Sequence, residues 1–424
     1  MTTYAKKLVT AASALVLTAY CLAAQAPAPA AGAPSAGRGG RGAAPPALKS
    51  PEVHADRTVT FRFRAPQAPA VDLVGEITQG KGPIPMTKDN DGVWTATIGP
   101  LPSEIWIYNF RVSGIDVPDP VNISIMPRSV CCTIANFVEV PGESPLFYDP
   151  RPVPHGEVRM ITYESKAMEV PRTMWVYTPP GYDKSTAKYP VYYLLHGNGE
   201  TQAGWVTSGR ANVILDNLIA EGKAQPMIVV MPHGHAVQSA NTGPLGKVPP
   251  APGAPGMANF TLFTTELLEQ VIPMVEKNFR VIADADHRAI GGLSMGAMQS
   301  VAIGLSHPET FHYVLAYSGG FSAMGAAAAG AATDPTAQAP WKDLLANPAE
   351  TKKRLHLLFL GSGQQETAML GPGQTLVKAF KEKGINAEWA DHPGGHVFSV
   401  WRHHLNESVP MLFKISKASV KRSN

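Results

Sequence analysis

The sequence predicts an α/β domain built on a mostly parallel sheet and preceded by a small all-β sandwich. Buried apolar strands alternate with helical segments from about residue 155 onward, and short strands of alternating apolar and polar residues fill the stretch before them. At 424 residues the chain exceeds one typical domain, so two folded units are expected. An apolar fraction of 44% excludes disorder throughout and a multi-span membrane protein alike.

In chain order, Lys6-Lys7 precede an apolar run from Leu8 to Ala19, and small residues follow at Ala23, Ala24 and Ala26. This is the layout of a secretory signal peptide over residues 1–26, which places the mature protein outside the cell or in the periplasm. The run is shorter than the roughly 20 residues a membrane helix needs, so no stable membrane span is expected. Cys21 stands near the place of a lipoprotein cysteine, but Tyr20 before it is bulkier than such signals prefer. Residues 27–50 are Ala, Pro, Gly and Arg with almost no large apolar side chain, a linker that buries too little to order itself. Arg38-Gly39-Gly40-Arg41-Gly42 reads as part of that solvated tether. With 36 basic against 33 acidic residues, a net +3, and no dense Lys/Arg patch, no nucleic-acid partner is expected.

Residues 51–145 form the all-β module, with alternating runs such as Thr58-Val59-Thr60-Phe61-Arg62-Phe63 and Val93 to Ile98 separated by turns such as Asp89-Asn90-Asp91-Gly92. Cys131 and Cys132 are adjacent, which rarely satisfies disulfide geometry, and read as small apolar residues. The α/β domain spans 154–420. Val191–Leu195, Met227–Met231 and Leu355–Leu360 read as central strands, and Phe263–Lys277, Met295–Leu305 and Gly373–Lys383 as helices. Gly243 to Gly256 and Met324 to Pro340 are insertions, read either as mobile surface loops or as walls of a substrate mouth.

Arg288-Ala289-Ile290-Gly291 leads as a strand into Gly292-Leu293-Ser294-Met295-Gly296, with a helix after it. That is the context of a nucleophile elbow, a tight turn that lifts a Ser hydroxyl clear of the backbone, as in the α/β-hydrolase fold. In that fold the base comes last. His396, after the flexible Pro393-Gly394-Gly395 and before an amphipathic helix, is the best candidate; His392 is its nearest rival, while His403 and His404 fall inside the helix. The orienting acid should leave a strand end between nucleophile and base. Glu366, after Leu355–Leu360, is best placed, with Asp391 and Asp343 as alternatives. Oxyanion donors are expected from the backbone N–H of Met295 and from Asn198 in His196-Gly197-Asn198-Gly199. His196 is expected to pack under that loop. Trp205 and Trp401 are candidates for an aromatic substrate pocket. His233-Gly234-His235 lacks a third ligand at metal-binding spacing, so neither metal nor cofactor is expected.

Several motifs together resemble the esterase D-like "putative esterase" family, which includes feruloyl, acetylxylan and enterochelin esterases and mycolyltransferases. They are Val176 to Tyr182, Tyr189 to Gly197, Arg288 to Gly296 and Gly394 to Arg402, within a match from about Pro154 to Phe413. The resemblance implies Ser294 as nucleophile, His396 as base, and the Met295 and Asn198 amides as oxyanion donors. Two departures stand out: Glu366 occupies the place where the family usually has Asp, and Ala297 a place where it commonly has glycine. The β-module is similar to the early-set immunoglobulin-like domain that precedes many secreted plant-polysaccharide esterases. The resemblance implies a serine esterase acting on feruloyl or acetyl esters, polysaccharide-linked and of xylan type. The rival readings are an enterochelin-type siderophore esterase, an acyltransferase, and a non-catalytic carbohydrate-binding protein on a hydrolase scaffold.

Overall fold

A computed structural model describes residues 47–126, 134–237, 255–321 and 334–414, with backbone alone for 255–258. The expected signal peptide with Cys21, the linker up to Pro46, Cys131 and Cys132, and the insertions before Pro255 and before Asp334 lie outside the described residues.

Between residues 52 and 140 the described strands are β1 (Glu52–Val53), β2 (Val59–Arg64), β3 (Val71–Val74), β4 (Ile84–Pro85), β5 (Thr87–Lys88), β6 (Val93–Ile98), β7 (Glu104–Val112), β8 (Ile115–Val117), β9 (Ile125–Met126) and β10 (Ala135–Val140). They form two antiparallel sheets, one in the order β1-β2-β6-β5, the other β4-β3-β7-β10-β9 with β8 beside β7. Val59 and Phe61 of the first sheet and Leu73, Tyr108 and Phe110 of the second share one core, the sandwich that the alternating runs predict. β7 is buried on both faces. Tyr108 and Phe110 point into the sandwich, while Ile105 and Ile107, one pleat position over, pack into the α/β domain.

The remaining strands are β11 (Glu157–Ser165), β12 (Val170–Thr178), β13 (Val191–Leu195), β14 (Ile228–Pro232), β15 (Arg288–Leu293), β16 (Tyr313–Tyr317), β17 (Leu357–Gly363) and β18 (Ala387–His392). They make a single sheet in the order β11-β12-β14-β13-β15-β16-β17-β18. β11 and β12 join it antiparallel, and the pairings from β14 through β18 are parallel. Helices α1 (Gly204–Thr207), α2 (Ala211–Ala220), α3 (Pro255–Glu266), α4 (Ile272–Asn278), α5 (Met295–Ser306), α6 (Trp341–Ala346), α7 (Pro348–Arg354), α8 (Thr367–Glu382) and α9 (Phe398–Ser408) lie among the strands. Apolar side chains of the sheet feed two separate cores, as a sheet covered on both sides requires. The predicted helix Phe263–Lys277 is part of a longer one, in which a π-helical turn at Leu267–Val271 joins α3 to α4. α8 begins six residues before the predicted Gly373, because Pro372 interrupts its ladder without ending the helix.

Sandwich and α/β domain meet around one buried cation. Arg402 of α9 is 1% exposed and donates to Ser208 O (2.5 Å), at the end of α1, and to Glu104 Oε1 (2.5 Å), at the start of β7. Tyr148 lies 4.9 Å from the guanidinium. Removing one partner of a buried pair leaves the other charge uncompensated. Glu104→Ala should therefore cost about 3–5 kcal/mol in denaturant unfolding, and adding Arg402→Met should restore part of it. A loss below about 1 kcal/mol for Glu104→Ala would show that this pair does not hold the two parts together.

Candidate active site

β15 ends at Leu293, and Ser294 follows with φ 52° and ψ −114° before α5 begins at Met295. An ordinary residue avoids this backbone region, and such strain persists only where its surroundings enforce it. Here the Ser294 amide donates to Tyr317 O at the end of β16 (2.9 Å). Glycine on either side is a steric requirement: a Cβ on Gly292 would lie 2.5 Å from Leu195 O, and one on Gly296 would lie 2.6 Å from the same oxygen. Ala297 is fully buried and tolerated because its neighbour across the turn is Gly319, where even a bare Cβ would come within 3.2 Å of the Ala297 methyl.

Ser294 and His396 line one cavity of about 200 Å³, together with Gly197, Asn198, Gly199, Glu200, Leu293, Phe398 and Trp401. The His396 ring is held from behind: its Nδ1 lies 2.7 Å from Glu366 Oε1. The other carboxylate oxygen accepts from Ser318 Oγ (2.5 Å) and from the Gly363 amide (2.6 Å). Burial pushes the Glu366 carboxyl up, but the bonds from His396, Ser318 and Gly363 outweigh it and hold the group below its ordinary value. It is thus an anion facing an imidazole N–H. The extra methylene of Glu relative to Asp is taken up by the fold-back onto the amide three residues earlier. Asp391 instead accepts from Gln364 and Trp389, His392 pairs with Glu407, and Asp343 sits on α6.

Trp401 closes this arrangement. Its indole N–H donates to Ser318 Oγ (2.9 Å), and its ring meets His396 edge-on at 4.9 Å. Trp205 does not reach the cavity lining. It is 1% exposed, its N–H is spent on Leu195 O (2.9 Å), and its ring packs on Tyr317 and Phe398.

The loop after β13 aims its amides in different directions. Gly197 N donates to Glu200 Oε2 (3.2 Å) and Gly199 N to His235 Nε2 (3.3 Å). The Asn198 amide between them and the Met295 amide at the uncapped start of α5 have no acceptor among the described residues. They are the two amides that the sequence nominates for an oxyanion hole. His196 packs beneath, as expected: Nε2 accepts from Gly234 N (2.8 Å), so Nδ1 carries the proton and donates to Gly197 O (2.8 Å). Below that lies Arg172, fully buried, which donates to His235 O (2.6 Å) and to His233 O and pairs with Glu266 (2.9 Å).

Three contributors were not visible in the sequence. Ser318, which bridges Trp401 and Glu366, is a serine in the turn Ser318-Gly319-Gly320, and that turn after a strand was its only signal. Glu76 and Met126 also line the cavity, although both belong to the β-sandwich.

His196 and His235 each accept a backbone N–H and must be neutral. Burial pushes His196 down to about 3 and His235 down to about 4, from an ordinary 6.5. Below pH 6.5 the unfolded chain therefore binds more protons than the folded one; the stability is complete above that pH and is lost as pH falls toward 4. His235→Gln, which keeps an acceptor but not a titrating ring, should flatten the dependence of unfolding free energy on pH between 6.5 and 5 by up to about 1.4 kcal/mol per pH unit. An unchanged slope would mean that His235 is not buried as a neutral acceptor.

A family model described as "Putative esterase" matches residues 165–412. Over 378 residues the chain is 32% identical to an endo-1,4-beta-xylanase/feruloyl esterase of Xylanibacter ruminicola, covering 87% of this chain and 46% of that protein. It is 23% identical to endo-1,4-beta-xylanase Y of Acetivibrio thermocellus, over 57% of this chain and 22% of the other. The chain therefore spans less than half the length of either relative. Among solved structures, the enterobactin esterase of Shigella flexneri aligns with 83% of this chain and 92% of its own at 18% identity and a TM-score of 0.59, a likeness of fold. The family match takes in the elbow, the acid at the end of β17 and the late histidine, and covers more than half of the chain, which belongs to the "putative esterase" family.

Proposed function

We propose that this protein is an exported serine hydrolase of carboxylic esters, acting on feruloyl or acetyl groups carried by xylan-type polysaccharide. The observation that carries the reading is the cavity shared by Ser294 and His396, with the His396 imidazole fixed by Glu366 at 2.7 Å. In the first half-reaction Ser294 Oγ attacks the ester carbonyl while His396 Nε2 takes its proton. The carbonyl electron pair moves onto oxygen, where the Met295 and Asn198 amides stabilise it. The C–O bond to the alcohol then breaks, and His396 returns the proton to that alcohol. Water repeats the sequence on the acyl-serine and releases the acid. Glu366 holds the ring in the tautomer with its proton on Nδ1 and stabilises the imidazolium as it forms.

The dimensions of the site favour one acyl group inside and the carbohydrate outside. About 200 Å³ bounded by Trp401, Phe398, Leu293 and Met126 suits a flat or small acyl group, with Glu76 and Glu200 supplying polar wall. Similarity to the two xylanase relatives supports a plant-polysaccharide context. Among the described residues no helix is long and apolar enough to cross a membrane. Export rests on the N-terminal pattern of Lys6-Lys7 and the apolar run that follows.

Hydrolysis of methyl ferulate, acetylated xylan and a cyclic catecholate triester should be compared for the wild type and three variants. Ser294→Ala should lower kcat by at least about 10⁴-fold, and Glu366→Ala by about 10³-fold, with little change in KM. Ser318→Ala, which removes one of the bonds to Glu366, should cost about tenfold. Turnover of the triester alone would replace the polysaccharide assignment by a siderophore one. Full activity of Ser294→Ala would end the acyl-enzyme mechanism.

A further inference from the structure

At the opposite end of the same strands, three side chains converge that the esterase reaction does not use. Asp286 lies in the turn just before β15, His312 immediately precedes β16, and His356 immediately precedes β17. These strands are neighbours and parallel, with Ala289 paired to Tyr313 and Tyr313 to Leu357. His312 and His356 therefore occupy equivalent positions and project to the same face. Their rings lie 4.7 Å apart between centroids, close to one inter-strand spacing. His312 Nδ1 is 2.7 Å from Asp286 Oδ1, and His356 Nδ1 is 3.5 Å from the same oxygen. All three ligand atoms fall within 4.8 Å of one another.

The backbone beneath them is already fixed. His312 N donates to Ala285 O (3.3 Å), His356 N donates to His312 O (2.7 Å), and Asn386 Nδ2 holds His356 O (2.6 Å). Tyr313 packs edge-on against His356. Asp286 is exposed and the two rings are partly so, which leaves the outer side of the cluster open to water ligands.

We propose that Asp286, His312 and His356 form a binding site for one divalent transition-metal ion of the zinc class. Two imidazole nitrogens and one carboxylate oxygen suit zinc and disfavour calcium or magnesium, which take oxygen donors. A shift of about half an ångström in side-chain position opens the 2.7 Å contact to the separation of two ligands on one ion, whose bonds are about 2.0–2.2 Å. On binding, each ring gives up its Nδ1–H contact with Asp286, presents the Nδ1 lone pair to the ion and carries its single proton on Nε2 instead. The ion then replaces a hydrogen bond shared by two donors with three coordinate bonds, clamping the starts of three central strands. Six residues of β15 separate the cluster from Ser294, about 20 Å of strand, so the ion acts on stability and takes no part in ester cleavage.

The test is calorimetric titration of the EDTA-treated full chain with Zn²⁺ at pH 7.5, in parallel with thermal unfolding. The expected result is one saturable equivalent and a melting temperature raised by a few degrees, at about 100-fold excess over Kd. Asp286→Asn, His312→Asn and His356→Asn should each weaken binding at least about tenfold. Their ester turnover in EDTA should equal that of the wild type, which verifies that they fold. Retention of the equivalent in His396→Ala places the ion away from Ser294. Absence of saturable binding, its loss in His396→Ala but not in His312→Asn, or an equal response to Ca²⁺ would each overturn the proposal.

Discussion

At the end of β13 the carbonyl of Leu195 lies so near the turn after β15 that nothing larger than hydrogen fits on Gly292 or Gly296. This contact between two neighbouring parallel strands sets most of the site at once. It admits only glycine at both positions flanking Leu293-Ser294-Met295, and it brings the loop from His196 to Gly199 alongside the start of α5. The indole of Trp205 holds the same carbonyl from the other side, which explains why that tryptophan is a core residue. Beneath the loop, Arg172 and three buried histidines keep the backbone in place through carbonyl and amide contacts, with no solvent to replace a lost partner.

The second half of the site is organised around a carboxylate. Glu366 satisfies one oxygen with Ser318 and Gly363 and offers the other to His396, so the side chain has a single working orientation. Trp401 couples this group to α9, whose next residue, Arg402, anchors the β-sandwich. The sandwich in turn supplies Glu76 and Met126 to the cavity. A chain of contacts thus runs from a domain that carries none of the proposed reacting groups to the His396 imidazole.

Much of this was legible in the sequence, and the exceptions share a cause. Val191–Leu195 is readable because a strand buried on both faces must be continuously apolar, and the elbow because its glycines sit on both sides of a serine. His396 is readable from its position between a glycine turn and an amphipathic helix. α8 is longer than the predicted Gly373–Lys383, since the helix passes through Pro372. Glu76 and Met126 carry no local signature, and Ser318 only that of a glycine turn after a strand; what places all three is packing between elements distant in sequence. Trp205 and Trp401 look alike in the chain but differ in the acceptor of their N–H and in whether the ring reaches the cavity. The pairing of Glu366 rather than Asp391 with His396 follows from a fold-back onto Gly363 that spacing alone does not reveal.

The proposed reaction requires that Ser294 be activated by the imidazole that Glu366 holds. Brief reaction with a p-nitrophenyl phosphonate ester, followed by peptide mass spectrometry, measures this directly. A single phosphonyl adduct is expected on the peptide containing Ser294, with labelling slowed by at least about 10²-fold in His396→Ala. An adduct on another residue, or labelling of Ser294 at an unchanged rate without His396, would contradict the proposed reaction.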